Sequence, residues 1–164
     1  MTRRPFTPAL TLPLLLLALT GCAQTTSATT EDQVAVNPIG HYVTEGYAQR
    51  DQGHDWLSVS VSQSADQQLA ITVRGRNDQK KPSCTFDGLA QAIDTNTYQA
   101  MANGQAINFT VSPQELVISA PTPEALPQLS YYCSGGASLG GAYQKIDGDL
   151  DRSHLDKTPF KANT

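Results

Sequence analysis

The stretch Leu-Ser-Val-Ser-Val-Ser-Gln-Ser-Ala-Asp-Gln-Gln-Leu-Ala-Ile-Thr-Val-Arg, residues 57–74, decides the fold. Leu57, Val59 and Val61 alternate with Ser58, Ser60 and Ser62. After Ser64-Ala65-Asp66, which reads as a turn, the alternation resumes: Leu69, Ile71 and Val73 against Ala70, Thr72 and Arg74. A side-chain period of two belongs to a strand with one face on a core and the other in water. Two such runs joined by a short polar turn make an antiparallel hairpin.

The same pattern continues downstream. Ile107, Phe109 and Val111 alternate with Asn108 and Thr110, and Leu116 and Ile118 flank Val117. Arg76-Asn77-Asp78, Asn103-Gly104 and Ser112-Pro113 punctuate the runs as turns. The Asn-Gly pair is a tight-hairpin signal, because both residues tolerate the positive φ that such a turn requires. Only residues 88–94 have the composition for a helical turn. About eight short strands with polar-out, apolar-in faces predict an all-β domain, a small antiparallel meander closed as a barrel or sandwich. Ile39-Gly40-His41-Tyr42 and Gly140-Gly141-Ala142-Tyr143 both read Gly-x-Tyr entering a strand. The first strand is therefore expected to pair near the last.

Upstream of this domain the character changes. Arg3 and Arg4 form a basic start, and residues 8–19 form a Leu-rich apolar run. That run is too short for a spanning helix, which needs roughly 20 residues, but suits an export signal. It ends in Leu19-Thr20-Gly21-Cys22, which resembles the lipobox of bacterial lipoproteins. The resemblance implies cleavage between Gly21 and Cys22, a diacylglycerol on the Cys22 thiol and an acylated new amine. More than one acyl chain gives firm membrane anchoring. By the same resemblance, Ala23, where an Asp would mark inner-membrane retention, implies sorting to the outer membrane of a Gram-negative envelope, facing the periplasm. Thr2-Arg3-Arg4-Pro5-Phe6 also resembles a twin-arginine motif, although the Leu-rich run suits the general secretion route. The organisation is thus signal peptide 1–21, Thr- and Ser-rich tether 22–37, β domain 38–146 and polar C-terminal tail 147–164.

Two cysteines remain, Cys84 and Cys133. An exported compartment is oxidising, so a disulfide is their default state, with two free thiols or a redox pair as the alternatives, the latter lacking a C-x-x-C motif. The disulfide would pin a fourth strand, residues 83–87, to an eighth, residues 129–133.

Signal removal takes away two arginines and no acid, leaving nine basic against fifteen acidic side chains and a net charge of −6. That argues against nucleic acid and suits a cationic partner. The exceptions to the acidity are Arg74, Arg76, Lys80 and Lys81, which gather around one hairpin as a candidate anion patch.

Catalytic and metal signals are thin. Gly136-Ala137-Ser138-Leu139-Gly140 fits the G-x-S-x-G elbow, and Asp147, Asp149, Asp151 and His154 follow in esterase order. The elbow needs a strand–turn–helix within an α/β sheet, and no helix follows Ser138. Asp147-Gly148-Asp149-Leu150-Asp151 opens like a calcium loop, but Arg152 and Thr158 replace the required Gly and Glu. His41, His54 and His154 have no ligand spacing, and no cofactor motif is present. Small exported lipoproteins that inhibit lysozyme resemble this chain in lipobox, all-β domain, disulfide and a Ser/Gly/Tyr loop. Their Ser-Gly-x-x-Tyr pattern is incomplete here, since Ser134-Gly135 has no Tyr at the required place and Tyr143 lies further on. Ser134, Ser138 and Tyr143 form the candidate binding loop. The leading expectation is a non-enzymatic binding or envelope-maintenance lipoprotein, tethered to the membrane by its lipid, with an envelope partner. A lysozyme-type inhibitor is the alternative and a serine hydrolase the remote one.

Overall fold

The computed structural model describes residues 34–161 apart from Gln79 and Lys81. Residues 1–33, which hold the expected signal peptide, Cys22 and most of the expected tether, lie outside the described residues. Among the described residues nine strands form in chain order: β1 Gly40–Val43, β2 Ser58–Gln63, β3 Leu69–Arg74, β4 Ser83–Asp94, β5 Thr97–Ala102, β6 Gln105–Val111, β7 Glu115–Ser119, β8 Cys133–Ser134 and β9 Gly141–Ile146. β1 to β7 run as an antiparallel meander, β9 pairs with β7 and with β1, and β3 pairs with β4. Eight strands therefore close a barrel. The two-residue β8 lies outside the ring and pairs only with β4.

Closure sets inside and outside for every strand. Tyr42, Val59, Ile71, Val73, Phe86, Ile107, Phe109, Leu116, Ile118 and Tyr143 point inward and share one core cluster. Tyr42, Phe86, Phe109 and Tyr143 are each at most 1% exposed, so large rings fill the barrel. The pairing of first with last strand is realised: Tyr42 on β1 stands opposite Lys145 on β9. The Asn-Gly hairpin is realised too. Asn103 and Gly104 adopt φ of 49° and 74°, and Ala102 faces Gln105 across the turn. The Cys84–Cys133 disulfide is formed, joining directly opposed residues of β4 and β8.

Three local expectations are corrected. Residues 88–94 continue β4 instead of turning as a helix, because Ala90 is needed in the core and the exposed end pairs with β5. Residues 129–133 are not one strand. Gln128–Tyr131 is a single helical turn, α1, and only Cys133 enters β8. Leu129 and Leu139, from the connection between β7 and β9, join the barrel core and fasten that connection.

The third correction concerns the ends. The polar C-terminal segment is docked: Leu150 is buried with Val43, Tyr47 and Trp56 in a second cluster on the outer face of β1. Tyr47 belongs to the 3₁₀ segment Glu45–Gln52, and its ring meets Trp56 edge-on at 5.0 Å. Few apolar residues suffice, because backbone contacts hold the rest: Leu155 bridges to Arg76, and the Asp156 amide donates to the Gly75 carbonyl. Residues 150–161 thus form a strap across the barrel wall. Before β1, the Val36 amide donates to Asn96 and the Lys145 ammonium to the Asn37 carbonyl, so the end of the segment expected to be a tether sits on the barrel.

Candidate functional site

The outer wall beneath the strap is built from two cross-strand rows. His41, Ser60, Thr72 and Asp87 stand in register across β1 to β4, and Val43, Ser58, Arg74 and Thr85 form the next row. Apart from Val43, which packs in the second cluster, these are the polar partners of the apolar inward set, placed outside by the same period of two.

Arg74 and Asp87 meet diagonally across the rows. The guanidinium contacts both carboxylate oxygens, at 2.8 and 3.0 Å, and donates to the Val73 and Phe86 carbonyls. Its remaining donors reach the Thr158 carbonyl of the strap, and the Lys161 amide donates to Asp87. Arg76 is equally engaged. It donates to Asp78, Asp55 and the Gly53 carbonyl, and its hydrogen bond holds the Asp78 carboxyl down at about 2. Lys80 is exposed and lies 3.7 Å from Asp78; Lys81 lies outside the described residues. The sequence-based anion patch therefore does not assemble as an open site. Its two arginines hold structure together.

The candidate binding loop is also divided. Ser138 is exposed, and its hydroxyl accepts from the Gly140 amide. Ser134 is half-buried on β8. Tyr143 is a core residue, because the alternation of β9 turns it inward, where its hydroxyl donates to the Leu139 carbonyl. Burial pushes the Tyr143 phenol far above its ordinary range, so it stays neutral. Of the residues in esterase order, His154 lies 3.9 Å from Asp151 and 3.4 Å from Asp51, while the Ser138 hydroxyl is engaged by the Gly140 amide.

Two grooves flank the strap. The first, of about 390 Å³, has His41, Ser60 and Thr72 on its floor and Arg152, Lys157 and Phe160 along its wall. The His41 Nδ1 lies 3.0 Å from the Ser60 hydroxyl, and its Nε2 lies 4.0 Å from Asp149. Burial lowers the His41 pKa, and nearby Asp149 offsets part of that. An imidazole held as a catalytic base needs its orienting acid within about 2.6–3.2 Å. Asp149 is too distant for that and is fully exposed. The trio offers a ligand a neutral imidazole and hydroxyls, and it was invisible in sequence because only the register aligns His41 with Ser60.

The second groove, of about 550 Å³, lies on the other side of Asp156 and Thr158. Tyr131 and Tyr132 rise at its edge beside the disulfide, and Ser83, Thr85 and Ser134 line it. No protein-family model, no curated protein and no solved structure matches the chain.

Proposed function

We propose that the chain is a lipoprotein of a Gram-negative envelope, anchored at the outer membrane through lipid on Cys22 and facing the periplasm. Its barrel serves as a non-enzymatic binding or envelope-maintenance module. The observation that carries the binding role is the filled interior. With Tyr42, Phe86, Phe109 and Tyr143 occupying the barrel, a ligand must use the outer surface. There the two grooves beside the strap gather hydroxyls, an imidazole and an exposed aromatic ring. Concave sites with a few convergent polar groups are the usual form of ligand sites. The anchoring rests on Leu19-Thr20-Gly21-Cys22 and the apolar run before it.

Membrane fractionation of cells carrying wild type and Cys22→Ser tests the anchor. Wild type is expected in membranes with a diacylglyceryl N-terminal cysteine by mass spectrometry, and Cys22→Ser in the soluble fraction. A Cys22→Ser protein that still sediments with membranes overturns the reading. Addition of Cys22→Ser protein in molar excess to lysozymes of several types is expected to leave lysis unchanged. Loss of lytic activity would replace the binding-module reading with the inhibitor one, acting through Ser134 and Ser138 without Tyr143.

A further inference from the structure

We propose that the groove beside the disulfide is a site for a neutral glycan, with Tyr131 as its stacking platform. The proposal deepens the binding-module reading and rests on it. Tyr131 is 67% exposed, yet its ring is oriented from below. It meets the Tyr132 ring at 5.0 Å and 75°, Tyr132 meets Phe86 at 5.0 Å and 73°, and Phe86 stacks on Phe109 at 6.2 Å. A chain of four rings runs from the barrel core to the surface. The last ring is steadied by the core while most of its surface stays open. Such a ring presents a large, rigid, partly apolar face at small entropic cost, which suits the C–H face of a pyranose.

The groove beside it is lined with hydroxyls. Cys84 and Cys133 face inward as a disulfide, so Ser83 and Ser134, directly opposed in the same pairing, lie on the other face. Thr85 follows two residues on along β4, on that same face. From the strap comes Asp156. One of its oxygens accepts from the Thr158 amide and hydroxyl, and the other has only a 3.4 Å contact from the Thr85 hydroxyl. That second oxygen retains capacity to accept from a sugar hydroxyl.

The alternatives fit less well. A phosphate or sulfate is held best by a free cation, and Arg76, the only cationic side chain among the described residues lining the groove, is already bound to Asp55 and Asp78. Asp156 would repel an anion. The core of a protein interface is a contiguous apolar patch, whereas here the exposed Tyr131 ring and the half-buried Tyr132 stand among hydroxyls. A volume of about 550 Å³ lies within the usual range of ligand sites.

The Cys22→Ser protein, titrated with neutral oligosaccharides of hexose and N-acetylhexosamine units by calorimetry and saturation-transfer NMR, tests this. Binding is expected, with transfer to sugar C–H protons. Tyr131→Ala is expected to weaken it about tenfold or more, and Tyr131→Phe to preserve it, since the ring and not the phenol carries the contact. Asp156→Asn is expected to weaken binding, with near-UV circular dichroism unchanged. The absence of binding to any of these neutral glycans overturns the proposal, as does affinity unaltered in Tyr131→Ala. So does stronger binding of inorganic phosphate or of acidic sugars. None of these results bears on membrane anchoring, which fractionation reads separately.

Discussion

Arg74 and Asp87 form an ion pair 2.8 Å apart that is buried on the outside of a barrel, with side chains only 3% and 6% exposed. Its shelter is the strap, whose Thr158 carbonyl and Lys161 amide complete the hydrogen bonding of the pair. The pair therefore joins two things that sequence places far apart, the β3–β4 wall and the C-terminus.

Removing one partner strands the other charge out of water. Arg74→Ala is expected to destabilise the protein by about 3–5 kcal/mol. Replacing both, as Arg74→Met with Asp87→Leu, removes the stranded charge and should recover part of that stability, while exchange of the Lys161 amide speeds up because its Asp87 acceptor is gone. Urea unfolding reads the first effect, and hydrogen exchange of the Lys161 amide reads the second. Equal destabilisation by single and double variants would contradict the role assigned to the pair.

The strap is also held by Leu150 against Trp56, the chain's single tryptophan. Leu150→Ala is expected to cost about 2–5 kcal/mol in that cluster. Its optical signature is a red shift of Trp56 emission as water reaches the indole. Unchanged emission would mean that the segment packs elsewhere.

The disulfide closes a loop with a sequence separation of 49. In the chain-entropy model, the Cys84→Ala, Cys133→Ala double variant loses about 4 kcal/mol of stability. Dithiothreitol should lower the thermal midpoint of wild type toward that of the variant and leave the variant unaffected.

Stability should fall on mild acidification through His41. Burial favours its neutral imidazole, so its folded pKa lies below the ordinary 6.5. Between the two values the unfolded chain binds more protons than the folded one, and stability rises with pH. The contribution is fully present above about 6.5 and is lost as pH falls toward the folded pKa. Thermal melts of wild type and His41→Gln across pH 7.5 to 5 check this; the variant should lack the His41 component of the slope.

Much of the barrel was legible, because closure forces a strict alternation that sequence displays directly. β2, β3, β6 and β7 stand where Val, Ile, Leu and Phe recur at every second residue, and Asn103-Gly104 turns as its chemistry demands. The disulfide followed from two cysteines left in a chain that reads as exported. What sequence hid is whatever depends on register or on backbone partners. The tail looked loose because its docking uses the carbonyl of Thr158 and the amides of Asp156 and Lys161, which every residue type carries. Arg74 looked like a free cation because Asp87 becomes its neighbour only when β3 and β4 pair. Tyr131 and Tyr143 look alike in a list of tyrosines, yet one is an exposed ring on a helical turn and the other fills the core.

The seam between β1 and β9 fixes when this molecule becomes whole. Tyr42 finds its partner in Lys145, so a chain emerging from synthesis carries β1 with one edge open until nearly everything else has arrived. A product cut short before β9 would leave two unpaired edges, on β1 and on β7, each a template for another chain. The barrel is therefore intolerant of C-terminal truncation in a particular way: its fragments are primed to join one another.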